Sequence, residues 1–172
     1  MDHDAEQLNV LVIDDDDDVR RVLVGVVTSR GHQALPAASA EEGMALLPLW
    51  TFQVAFLDQR LPDMDGLVLG EFLRKNNPDM TIALVTGEDE PRLERLARHL
   101  AITFIAKPFE VRQIESVLDD AISNAQARSV RRHRKADEDF APPISRFAEE
   151  LTPSFEMPHI PDRLADRLTA TI

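Results

Sequence analysis

The amino-acid sequence predicts an α/β fold: a doubly wound, five-stranded parallel sheet with helices on both faces and a C-terminal extension. Two observations carry that expectation. Between residues 8 and 127, short apolar runs alternate five times with stretches of helical periodicity. The first run, LNVLVI at 8–13, is the kind of β-branched apolar segment expected of a strand covered on both faces. Successive βα units imply parallel strands, because parallel crossovers are right-handed and usually helical.

After the run at 8–13, Val19, Val22, Leu23, Val26 and Val27 fall at the spacing of an amphipathic helix, and Gly31 supplies a C-terminal stop. A weaker strand at 32–37 leads to Ser39-Ala-Glu-Glu42, a capping box opening a helix that runs to about Leu47, before Pro48. A third strand at 52–57 is followed by the loop DQRLPDMDG and a helix containing Leu69, Phe72 and Leu73. Residues 80–85 form the fourth strand, and Leu93, Leu96, Ala97 and Leu100 mark the fourth helix. Residues 102–106 make the fifth strand, and Val111, Ile114, Val117, Leu118, Ala121 and Ile122 the fifth helix.

Composition narrows the function classes. There are no cysteines among the 172 residues, which excludes a disulfide framework, a thiolate metal site and a cysteine nucleophile. No apolar run approaches the ~18 residues of a spanning helix, and the acidic start MDHDAEQ lacks a signal peptide's apolar stretch, so a cytoplasmic location is the expectation. Up to residue 127 there are 23 acidic and 11 basic side chains; from residue 128 onward there are 8 of each. This composition divides the chain into a leader at 1–7, a domain at 8–127 and a tail at 128–172. An acidic domain disfavours non-specific attraction to nucleic acid.

In open α/β sheets, ligands sit outside the carboxyl ends of the strands. Those ends carry Asp14 to Asp18, then Asp58, then Thr86, then Lys107-Pro108. Converging carboxylates repel one another unless a cation neutralises them, and all-oxygen ligands with room for water suit Mg²⁺. A carboxylate beside a lysine ammonium could approach a phosphoryl group, with charge on its equatorial oxygens stabilised and a threonine hydroxyl bonded to one of them. Asp16, Asp17 and Asp18 read as carboxylates at a helix N-terminus, Asp65 as a helix cap and Gly66 as a turn residue.

VIDDD, FLDQRLPDMDG, ALVTG and FIAKPF, in that order and spacing, resemble the receiver domain of two-component response regulators, across about residues 8–122. The resemblance implies a flavodoxin-like (βα)5 fold and a magnesium-dependent phosphorylation switch, and no standard output domain is recognisable in the sequence. It implies that Asp58 is the phosphoacceptor and that Asp14, Asp15, Asp58 and the backbone carbonyl of Arg60 serve the metal. It further implies Thr86 as the switch hydroxyl, Lys107 as the phosphate-contacting cation, Phe104 as the aromatic whose rotamer reports activation, and a cis peptide between Lys107 and Pro108. Such a domain catalyses only its own phosphorylation and slow dephosphorylation. Its expected partners are a histidine kinase or histidine phosphotransfer protein, and a downstream protein at the face of the fourth helix, fifth strand and fifth helix; a homodimer is compatible with the sequence.

Two features depart from the receiver pattern. Arg60 places a long cation where it could overhang the phosphoryl group and alter its lifetime, or else pair at the surface with Asp63 or a glutamate. HLAIT at 99–103 replaces a small Gly-Ala turn and implies a differently shaped one. The tail is open to three readings: disorder, short helices folded back, or a docking segment. Within it, RSVRRHRK at 128–135 either prolongs the fifth helix or forms a linker, Pro142-Pro143 breaks any helix, and Ile144, Phe147, Ala148 and Leu151, like Ile160, Leu164 and Leu168, have helical spacing. Two other classes compete with the switch: an aspartate-nucleophile phosphatase, which would carry its nucleophile after the first strand together with a cap insertion, and a regulator of transcription whose tail or a missing output domain binds DNA.

Overall fold

The computed structural model describes residues 7–87 and 91–140, with side chains up to Arg131. The elements run β1 (Asn9–Ile13), α1 (Asp17–Ser29), β2 (Gln33–Ala37), α2 (Ala40–Leu46), β3 (Val54–Asp58), α3 (Gly66–Asn76), β4 (Thr81–Thr86), α4 (Pro91–His99), β5 (Thr103–Ala106) and α5 (Val111–Phe140). The five strands form one sheet in the order β2-β1-β3-β4-β5, all neighbours parallel. The doubly wound five-stranded sheet expected from the sequence is therefore the fold.

Period-two alternation sorts the strand residues between two cores. Val10, Val12, Val54, Phe56, Ala83, Val85 and Ile105 face α1 and α5, meeting Leu23, Val27, Ile114 and Leu118. Leu11, Ile13, Ala55, Leu57, Ile82 and Leu84 face α2, α3 and α4, meeting Ala40, Leu69, Leu73, Leu93 and Ala97. Each fully buried leucine in these layers contributes about 1.5–3 kcal/mol relative to exposure. Four apolar residues assigned to stripes lie outside the cores: Val22, Phe72, Leu96 and Val111 are all substantially exposed. They sit at the edges of their stripes, where periodicity alone does not fix which way a side chain turns.

The strands start later than the apolar runs suggest. Leu8, His32, Phe52, Met80 and Ile102 are buried but precede their strands. They plug the amino end of the sheet with four apolar side chains and one histidine.

Helix ends follow the expected chemistry. Asp16 caps α1 by accepting from the amides of Asp18 at 2.8 Å and Val19 at 3.3 Å, with Asp17 and Asp18 in the first turn. Gly31 has φ +81°, the left-handed conformation that ends a helix. Ser39 Oγ accepts from the Glu42 amide at 3.2 Å, while Glu42 reaches the amide of Ala38 at 2.8 Å, one residue beyond the usual box. After α4, Ile102 N donates to the Ala97 carbonyl at 2.9 Å and Ala101 N to that of Arg98 at 3.1 Å, with Ala101 at φ 54°. This is a Schellman turn with alanine at the position glycine normally takes. The unusual turn expected at 99–103 thus has a normal path made by a strained residue.

α5 runs through RSVRRHRK, so the basic stretch prolongs the helix. The helical spacings and prolines assigned to the rest of the tail, from residue 141 onward, lie outside the described residues, as does the leader up to residue 6. Among the described residues, no helix is long and apolar enough to cross a membrane.

Candidate functional site

The carboxyl ends of β1, β3, β4 and β5 bring Asp14, Asp58, Thr86 and Lys107 together. Asp58 is the last residue of β3 and Thr86 the last of β4, and both are buried. Asp14 follows β1 and is 1% exposed. Lys107 follows β5, ahead of a cis peptide to Pro108, and its amide donates to the Thr86 carbonyl at 2.7 Å. That bond ties the lysine to the end of β4.

The ammonium of Lys107 donates to Asp14 Oδ2 at 2.7 Å and to Asp58 Oδ1 at 2.6 Å. The other oxygens are also held: Asp14 Oδ1 accepts from the Asp16 amide at 3.0 Å, and Asp58 Oδ2 from the Arg60 amide at 2.6 Å. Burial pushes the Asp14 carboxyl above its ordinary range despite the bond from Lys107. For Lys107, burial favours the neutral form, but the bonds to Asp14 and Asp58 outweigh it and raise the ammonium's pKa. One cation thus serves two buried carboxylates.

The turn after β3 is built for close approach. Gly66 N donates to the Gln59 carbonyl at 2.9 Å, and Arg60 and Asp65 form an isolated antiparallel bridge. A Cβ on Gly66 would stand 1.9 Å from the Asp58 carbonyl oxygen, so no other residue fits there without moving Asp58. Asp65 caps α3 through the amides of Leu67 and Val68. The buried Gln59 side chain donates to Asp65 Oδ2 at 2.7 Å and accepts from the Leu67 amide at 3.1 Å. Asp63 accepts from the amides of Ala40 at 3.0 Å and Glu41 at 2.7 Å at the start of α2, bonds that hold its carboxyl below the usual range.

Sequence reasoning missed Gln59 and Arg20. Arg20 donates to the Asp14 carbonyl at 2.5 Å and pairs with Asp17, fixing the β1–α1 turn. A helical i,i+3 spacing hints at the Asp17–Arg20 pair, but nothing in the sequence points to the backbone contact. Phe104, by contrast, is where it was expected, half-buried on β5 against the core beneath α4.

Asp58, Arg60, Thr86 and Gly87 line a cavity of about 250 Å³ that opens to solvent beside Asp58. Arg60 is exposed and stands on its rim. Asp15, next to Asp14, is exposed, and among the described residues no three acidic or histidine side chains converge into a ready-made cage for an ion. The donor chemistry nonetheless fits a water-rich divalent cation. Two buried carboxylates with a third beside them exceed the charge of one ammonium, and all the donors are oxygen.

The comparisons with known proteins agree with this geometry. Residues 10–119 match the response regulator receiver domain family. The chain is 36% identical over 102 residues to the C4-dicarboxylate transport transcriptional regulatory protein DctD of Rhizobium meliloti (strain 1021), covering 59% of this chain and 22% of that protein. It is 25% identical over 143 residues to the transcriptional regulatory protein GlrR of Escherichia coli (strain K12), covering 83% and 32%. The chain thus spans about a third or less of the length of these relatives. Among solved structures it resembles the CheY-like response regulator receiver domain protein of Methanospirillum hungatei JF-1, with a TM-score of 0.66 and 26% identity over 71% of this chain and 99% of the other. With its sheet order, its acidic strand ends and a match across residues 10–119, this chain belongs to the response regulator receiver domain family.

Proposed function

We propose that the chain is a phosphorylation-dependent switch in which Asp58 accepts a phosphoryl group from a histidine kinase or histidine phosphotransfer protein. The observation that carries this reading is Lys107 bridging Asp14 and Asp58 beside an open cavity that Asp58 and Thr86 line. Receiver domains generally bind Mg²⁺ at such an acidic pocket. Here Asp14, Asp15 and Asp58, with the backbone carbonyl of Arg60, would hold it, and when bound it supplies positive charge beside the transferring oxygens. A carboxylate oxygen of Asp58 attacks phosphorus, an O–P bond forms, and the bond from phosphorus to the donor's imidazole nitrogen breaks. Lys107 then shares its ammonium with the phosphoryl oxygens, and the Thr86 hydroxyl donates to one of them. Because the Lys107 amide is bonded to the Thr86 carbonyl, the two groups respond as a unit with β4 and β5, which carry Phe104. The face of α4, β5 and α5 changes its affinity for a downstream protein accordingly. The free energy available is the differential interaction of the phosphoryl group with the two states.

Arg60, on the cavity rim, affects how long the phosphoryl group survives by obstructing or steering the attacking water. Arg60→Ala is expected to change the dephosphorylation rate; indistinguishable rates remove this role. The switch itself is tested by incubating the full chain with acetyl phosphate and Mg²⁺ and following intact mass. One phosphoryl adduct is expected, absent in Asp58→Asn. No adduct with acetyl phosphate or a kinase donor marks a receiver fold that does not receive.

A further inference from the structure

α4 carries a basic surface within the acidic domain at 8–127. Its nine residues include Arg92, Arg95, Arg98 and His99 against one acid, Glu94. All four bases are exposed. Arg92, Arg95, Leu96 and His99 are spaced three or four residues apart, which puts them on one face of the helix. Leu96, within that face, is 45% exposed, whereas Leu93 and Ala97 turn into the core. With Arg98 these residues line an open depression of about 440 Å³. Glu94 is engaged by Arg98 at 2.8 Å.

We propose that this face of α4 docks an acidic segment of a partner protein, with Leu96 burying against an apolar side chain and Arg92, Arg95 and His99 pairing with carboxylates around it. This rests on the reading of the chain as a switch that signals through protein contacts, and it specifies the chemistry of the partner. Three considerations select polypeptide over nucleic acid. The domain up to residue 127, with 23 acidic and 11 basic side chains, disfavours a long polyanion that extends over it beyond α4. The bases occupy one short helix instead of a stripe long enough to follow a phosphate backbone. An apolar centre ringed by cations matches the apolar core and polar rim of a protein interface, and a phosphate backbone offers Leu96 nothing to bury against.

The test uses the full chain and three fluorescent probes: an acidic amphipathic peptide of Glu and Leu at helical spacing, its Lys-Leu counterpart, and a duplex DNA oligonucleotide. The acidic peptide is expected to bind, more weakly as salt rises, and the Lys-Leu peptide not to bind at this face. Arg92→Glu with Arg95→Glu should weaken the acidic peptide about tenfold or more, and Leu96→Ser about threefold or more, since cross-interface charge pairs and a buried apolar anchor each carry energy of that order. Arg21→Glu with Lys75→Glu, which changes net charge equally but away from α4, should weaken it less than about threefold. No binding of the acidic peptide, equal loss in the two charge-reversed proteins, or DNA bound more tightly and lost with the α4 variant would each overturn the proposal. The acetyl phosphate adduct, measured in parallel, should form equally in all variants. Its absence from the wild type counts against the switch and leaves the binding result to stand alone.

Discussion

The two ends of the sheet handle buried charge in opposite ways. At the carboxyl end, Lys107 is the one ammonium between Asp14 and Asp58, and burial already raises Asp14 toward its neutral form. At the amino end, Arg74 donates to the carbonyls of Met80 at 2.7 Å, Pro78 at 3.1 Å and Ala101 at 2.7 Å. There Arg128, from α5, donates to the Asp79 carbonyl at 2.7 Å and pairs with its carboxylate at 3.3 Å. His32, also at that end, accepts from the Leu8 amide at 3.4 Å. The amino end directs its arginines mainly onto backbone carbonyls, around an open depression of about 360 Å³ that Arg74, Asp79 and Arg128 line. The carboxyl end keeps an excess of carboxylate, with two buried aspartates sharing one ammonium. On the proposed function, chemistry and backbone anchoring sit at opposite ends of the same strands.

The strongest way to break this contrast is to remove the shared cation. Lys107→Ala leaves two buried carboxylates facing each other and is expected to cost about 3 kcal/mol in urea unfolding. Asp58→Asn removes one of the repelling charges while keeping the side chain's shape, and is expected to leave stability unchanged or raise it by up to about 1 kcal/mol. A large loss in Asp58→Asn would mean that the carboxyl end is built for stability after all.

At the other end, Arg74→Ala removes three bonds to carbonyls and should cost about 2 kcal/mol, with the phosphoryl adduct still forming on the folded protein. Loss of the adduct in that variant would show that the two ends are not separable. Ala101→Gly works in the opposite direction. It relieves the left-handed alanine after α4, and the gain is expected to exceed the added chain entropy by about 0.5–1 kcal/mol.

The smallest effect concerns His32. Burial, with Arg30 nearby, lowers its pKa in the folded state. Below the ordinary histidine pKa of about 6.5, the unfolded chain takes up a proton that the folded chain resists. The contribution of a neutral His32 is therefore complete above that pH and is lost progressively as the pH falls below it. His32→Gln should flatten this part of the curve of melting temperature against pH; an unchanged curve would remove His32 from the explanation.

Most of the chemical end was legible in the sequence, because its residues sit at fixed offsets from strand ends. Asp14, Asp58, Thr86 and Lys107 each follow or close an apolar run, and the order of those runs sets their convergence. The caps Ser39 and Asp65 were legible too, since capping is local. What stayed hidden depends on contacts between distant segments. Gln59 gives no signal for its bonds to Asp65 and Leu67, nor does Arg20 for its hold on the Asp14 carbonyl. Arg74 reads as a surface helix residue until the α4–β5 turn comes to lie against it. The direction of Val22, Phe72, Leu96 and Val111 was equally invisible, because a stripe's edge is defined only by what packs beside it.

The most direct measurement locates the phosphoryl group. After treatment with acetyl phosphate and Mg²⁺, borohydride reduction converts an aspartyl phosphate to homoserine, which peptide mapping then places in the chain. Homoserine at Asp58 alone is the expected result. Homoserine within Asp14 to Asp18, or at no aspartate, would contradict the assignment of Asp58 as the acceptor.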